Sequence, residues 1–135
     1  MTTQLRDAAS KAVRVQQGES CDVVVTFKDM SGAAIAKASL LSLVATLYDE
    51  STAAMINSRN AVSVLDANGG SVASDGTLTL RLQPADAPIV TASSVAVGEA
   101  ETHVLRIDWT WSDGVLTRTG REEWVILVER IASPS

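Results

Sequence analysis

The sequence predicts an all-β fold, two antiparallel sheets packed as a sandwich with Greek-key connections, and three observations predict it. The first is strict alternation. Leu105, Ile107, Trp109 and Trp111 share one face of residues 103–111, while Arg106, Asp108 and Thr110 share the other. Leu78, Leu80 and Leu82 alternate in the same way with Thr77, Thr79 and Arg81. A period of two belongs to a strand with one buried and one wet side. The second is the density of turn signals, Asn68-Gly69, Asp75-Gly76 and Ser112-Asp113-Gly114 among them. The third is the lack of any internal repeat, heptad or long helical period, which leaves short strands and turns as the building units.

Taken in order, residues 1–11 form a polar N-terminal arm in which Leu5, Ala8 and Ala9 are only loosely at helical spacing. A sandwich domain is expected over 12–132. Its first strand is 12–15, ended by Gln16-Gln17-Gly18, and its second is the β-branched run 22–28. Asp29-Met30-Ser31-Gly32 has turn chemistry, and the small residues 33–39 make a connector. The third strand is 43–48, and 55–58 is expected to pair back onto it as a fourth. Shorter strands are expected at 62–65 and 71–73, ahead of 77–82. Pro84 and Pro88 stop that strand, because proline cannot donate to a ladder. The long connector 89–102 then leads into the hairpin, whose return arm ends in Trp124-Val125-Ile126-Leu127-Val128.

Composition narrows the function. A chain of 135 residues, 46% hydrophobic and 20% charged, can bury the core of one ordinary globular domain. Aromatic residues are only 4%, which favours a thin two-layer core rich in Ala and Val. A formal charge of −5 without any basic run opposes binding to nucleic acid. No apolar run approaches the roughly 20 residues of a membrane helix, and the first residues lack the apolar centre of a signal peptide. The single cysteine, Cys21, excludes an internal disulfide.

Chemistry has little to work with. His103 is the only histidine, so any triad would pass through it, and no nucleophile elbow accompanies it; it reads as a structural residue near a strand end. Asp66-Ala67-Asn68-Gly69-Gly70 imitates the start of a calcium loop. Its later positions fail, with Thr77 where a bidentate Glu belongs. Zinc lacks the usual cysteine and histidine set. Glu99 and Glu101 share the connector, and Glu122 and Glu123 point to opposite faces of a strand, so neither pair spans a cleft. The expectation is a non-enzymatic chain with no catalytic residue, metal or cofactor. Trp109 is assigned to the core, while Trp111 and Trp124 stay open between core and exposed anchor.

The succession Val24-Val25-Thr26-Phe27-Lys28-Asp29-Met30-Ser31-Gly32-Ala33-Ala34-Ile35, then Ala45-Thr46-Leu47-Tyr48-Asp49-Glu50, then Ile56-Asn57-Ser58-Arg59-Asn60 and the stretch 103–111, resembles a known family. It is similar to the small immunoglobulin-like β-sandwich proteins of tailed bacteriophage virions, of the head decoration, neck and baseplate type, over residues 13–131. The corner tyrosine and paired core cysteines of antibody-type domains are absent. The resemblance implies an immunoglobulin-like antiparallel β-sandwich and a structural role on the capsid surface or at the head-to-tail connection, in a particle assembled in the bacterial host cytoplasm. Its partners would be other virion proteins (capsid, portal or neck, and tail components) and copies of itself, with neither nucleic acid nor membrane. Leu5, Ile89, Val90, Val95, Trp111, Arg118 and Arg121 are the interface candidates. The alternative is an immunoglobulin-like cell-surface or carbohydrate-binding adhesion module.

Overall fold

A computed structural model describes residues 12–29, 31–91 and 95–131. It is all-β, with eight strands: β1 (Ala12–Gln16), β2 (Cys21–Thr26), β3 (Leu40–Asp49), β4 (Val62–Ser63), β5 (Gly70–Val72), β6 (Thr77–Leu82), β7 (Ala100–Ser112) and β8 (Thr117–Glu129). They form a five-stranded sheet in the order β1-β8-β7-β3-β4 and a three-stranded sheet in the order β2-β6-β5.

One core lies between the sheets, an arrangement consistent with a β-sandwich. From the larger sheet come Leu43, Ala45, Leu47, Leu105, Ile107, Trp109, Ile126 and Val128; Val23, Val25, Leu78, Leu80 and Leu82 come from the smaller. These are the residues that alternation singles out, because a pleated strand turns every second side chain to the same face. Trp109 is buried and packs on Phe27 with ring centroids 4.7 Å apart. That places it in the core, as expected.

Several elements depart from the sequence expectations. The sheets are not wholly antiparallel: β1 pairs in parallel with β8, from Ala12 opposite Val125 to Gln16 opposite Glu129. A local pattern of apolar residues carries no information on strand direction, which depends on where the chain goes after Gln16. Residues 55–58 do not form a strand. Only a single bridge, Tyr48 to Met55, stands there. Asn57 and Ser58 take positive φ, and the chain follows β3 through irregular bonds, Ile56 N–H to Leu47 O (2.9 Å) and Leu47 N–H to Arg59 O (2.9 Å). The third strand starts earlier than expected, at Leu40, across an irregular register between Leu40 and Ser42. The last strand pair also starts earlier, at Ala100, so the connector yields its final three residues, Glu101 included, to β7.

A buried ion pair ties the irregular 56–60 segment to the turn after β6. Arg59 Nε donates to Asp86 Oδ1 at 2.6 Å and Arg59 Nη2 to Asp86 Oδ2 at 3.1 Å, with Asn57 Nδ2 also donating to Oδ1. The carboxylate reaches back as well to accept the Gln83 amide at 2.7 Å. This network gives the segment's polar groups partners inside the fold, and it competes with a regular strand.

Candidate functional site

The long β7–β8 hairpin runs 13 residues on each arm. On the inner face Trp109 stands opposite Gly120 and Trp111 opposite Arg118. Phe27 covers Trp109. Beside it the hairpin meets residues that follow β2, Lys28, Asp29 and Ser31. A groove of about 530 Å³ results, lined by Lys28, Asp29 and Ser31 on one side and by Trp111, Asp113 and Arg118 on the other.

The hairpin tip is stiffened by one carboxylate. Asp113 accepts the amides of Leu116 (2.7 Å) and Val115 (2.8 Å) and the Nε of Arg118 (2.9 Å). Those amides, with Arg118 beside them, lower its carboxyl pKa to about 2. Val115 and Leu116 therefore sit on a turn of fixed geometry, 87% and 56% exposed. Two neighbouring aliphatic side chains held in water are a costly feature unless something covers them.

The interface candidates separate into two ends of the molecule. Trp111 is half-buried in the groove and Arg118 is exposed beside it. Arg121 lies on the opposite face of the same sheet, paired with Asp108 at 2.5 Å. Ten residues along β7 from Trp111, roughly 33 Å at strand rise, is Glu101, whose carboxylate accepts the Val90 amide of the other group. Val90 is 38% exposed, Ile89 is half-buried against the core, and Val95 is buried at 9%. Leu5 and the rest of the 1–11 arm lie outside the described residues. Trp124 is half-buried and donates Nε1–H to Glu122 at 2.8 Å.

Sequence reasoning missed Val115 and Leu116. The signal was present: Asp-Gly turn chemistry does not call for two aliphatic residues after it. It also missed the wall of Lys28, Asp29 and Ser31, which meets the hairpin only through the packing of the two sheets.

Two groups with chemical potential lie away from the groove. Cys21 is half-buried in β2; burial, then the charges of Asp22, Glu19 and Asp86, push its thiol up and oppose a nucleophilic thiolate. His103 lies in the interior, where β7 brings it beside Glu101 and β3 brings it beside Asp49. Asp66, the first residue of the calcium-like run, has its two oxygens engaged by the Val72 amide (2.9 Å) and the Lys37 ammonium (2.6 Å).

Among the described residues no helix is long and apolar enough to cross a membrane. The chain matches no protein-family model and no curated protein sequence.

Proposed function

We propose that this chain is an immunoglobulin-like module of a tailed-bacteriophage particle, a non-catalytic structural protein that docks in many copies on the head-to-tail connection or the capsid surface. The observation that carries the docking role is the hairpin tip, where Asp113 holds Val115 and Leu116 in solvent next to the Trp111–Arg118 groove. Tryptophan and arginine are the residue types enriched at interface hot spots, and the exposed aliphatic pair beside them supplies apolar area that a partner could cover. Open ladder groups add to it. Among the described residues, β1 flanks β8 only from Val125 to Glu129, so 117–124 offers a strand edge to a neighbour.

Support for the immunoglobulin-like reading comes from strand order. In that fold one sheet carries C′, C, F and G and the other B, E and D. Here β4-β3-β7-β8 and β2-β6-β5 follow those orders. The phage setting rests on the resemblance of residues 13–131 described above.

Mixing the purified protein with capsids or with portal rings, followed by sedimentation, tests the reading. Saturable co-sedimentation with one of them is expected. A protein that sediments with neither, and whose tryptophan fluorescence responds to glycans, would instead favour the adhesion module. The groove gives that second reading its own support, since Trp111 offers an apolar ring surface with Asp29 and Arg118 as polar neighbours.

A further inference from the structure

At the far end of the molecule from the groove, three buried side chains meet where β3 ends and β7 begins: Asp49 (1% exposed), Glu101 (6%) and His103 (0%). One potential ligand atom from each lies within 4.8 Å of the other two. Their hydrogen bonds are unequally shared. Glu101 is saturated: Oε1 accepts the Thr91 amide (2.9 Å) and hydroxyl (2.7 Å), while Oε2 accepts the Val90 amide (2.8 Å) and meets His103 Nε2.

Glu101 Oε2 faces Nε2, so with the ring proton on Nε2 the other ring nitrogen, Nδ1, is a bare acceptor on the side away from that carboxylate. Nδ1 has no partner. On Asp49, Oδ2 accepts Ser51 Oγ, the Thr52 amide and Thr52 Oγ1, whereas Oδ1 has none. Two buried lone-pair acceptors thus stand in one cluster with no donor for either among the described residues. Such orphaned groups forgo hydration without compensation.

The geometry points to a metal site: a divalent first-row ion of the Zn²⁺ class, bound by His103 Nδ1 and Asp49 Oδ1, with Glu101 as the positioning residue. The far ring nitrogen of a metal-binding histidine commonly donates to a carboxylate, which sets the tautomer and the ring orientation. The imidazole nitrogen selects against Ca²⁺ and Mg²⁺, which take oxygen ligands. The 50–52 turn beside Asp49 is exposed, and solvent would have to complete the coordination from that side. With the ion in place, the end of β3 is joined to β7, and through Glu101 to Val90 and Thr91.

The test uses the full chain without a histidine tag, stripped with a chelator and titrated with zinc chloride. His103 is the only histidine, so its two ring ¹⁵N resonances report the site without ambiguity. Expected are binding of one equivalent, a shift of the Nδ1 resonance with Nε2–H retained, and a melting temperature that rises with zinc. Asp49→Asn sets an amide donor against Nδ1; it should weaken binding at least tenfold while the circular dichroism of the metal-free protein is unchanged. The proposal is overturned if zinc, nickel and cobalt all fail to bind saturably to the wild-type chain. It is also overturned if the metal-free protein holds protons on both ring nitrogens and ignores zinc, since a proton then fills the gap. Undiminished binding by Asp49→Asn would overturn it as well, by putting the ion elsewhere.

Discussion

Trp109 faces Gly120 across the β7–β8 ladder, and its indole occupies the space where a side chain on Gly120 would begin. A Cβ there would overlap the indole ring, and the ring cannot retreat, because Phe27 packs against it. Gly120→Ala is therefore an overpacking change, expected to cost about 1–3 kcal/mol. Urea unfolding followed by tryptophan fluorescence measures it; an unchanged midpoint would mean that the indole has another place to go.

The two tryptophans of β7 should differ sharply in stability. Trp109→Ala removes a buried core ring and is expected to cost about 3–5 kcal/mol. Trp111→Ala opens a half-exposed groove and should cost well under half as much. Equal losses would contradict the assignment of Trp111 to the groove. Chemical denaturation of both variants decides the point.

Breaking the buried Arg59–Asp86 pair should be among the costliest polar changes in the chain. Their side chains are 7% and 0% exposed, and Asp86→Asn leaves the guanidinium buried without its counter-charge, at about 3–5 kcal/mol. Burial raises the Asp86 carboxyl pKa, but hydrogen bonds from Arg59, Asn57 and the Gln83 amide, with the Arg59 charge, hold it below the ordinary value. A depressed folded pKa stabilises fully above the unfolded value of about 3.9 and ceases to do so as pH falls through the folded value. The stability gap between wild type and Asp86→Asn should consequently shrink in acid, which unfolding curves at pH 7 and about pH 3 would reveal.

Asp113 supplies a second acid-sensitive contact, at the hairpin tip. Its carboxyl titrates at about 2, lowered by the Leu116 and Val115 amides and then by Arg118. The tip should keep its geometry through mild acid and lose it only as pH falls through that value. Carboxyl ¹³C shifts against pH check this. A midpoint near the ordinary carboxylate value would show that the amides do not hold it.

Val115→Ser combined with Leu116→Ser should leave folding within about 0.5 kcal/mol of wild type, since neither side chain contributes to the core. If the tip is the docking element, the same variant should lose co-sedimentation with the particle component that the wild type binds. Retained binding would move the contact to another surface.

Much of the architecture was legible in the chain because local pattern and burial coincide. The alternations in 103–111 and 77–82 named the core residues of β7 and β6, and the Asp-Gly pairs marked where chains reverse. Residues 55–58 were misread because their side chains and backbone answer to distant groups: Asn57 and Arg59 to Asp86, and the backbone to Leu47. No spacing within the segment carries that information. The groove was half legible. Trp111 and Arg118 stood out on their own arms, whereas Lys28 and Asp29 reach the hairpin only when the sheets pack.

His103 shows the division most clearly. By itself the sequence determined the all-β class, the core faces and a lone histidine near the start of a strand, because each depends on side chains a few residues apart. Tertiary structure alone decided that β1 runs parallel to β8, and that Asp49 and Glu101 converge on His103. Strand direction and side-chain clustering depend on which strands become neighbours. That choice is made by burial of the whole apolar surface at once, over separations that no local periodicity spans.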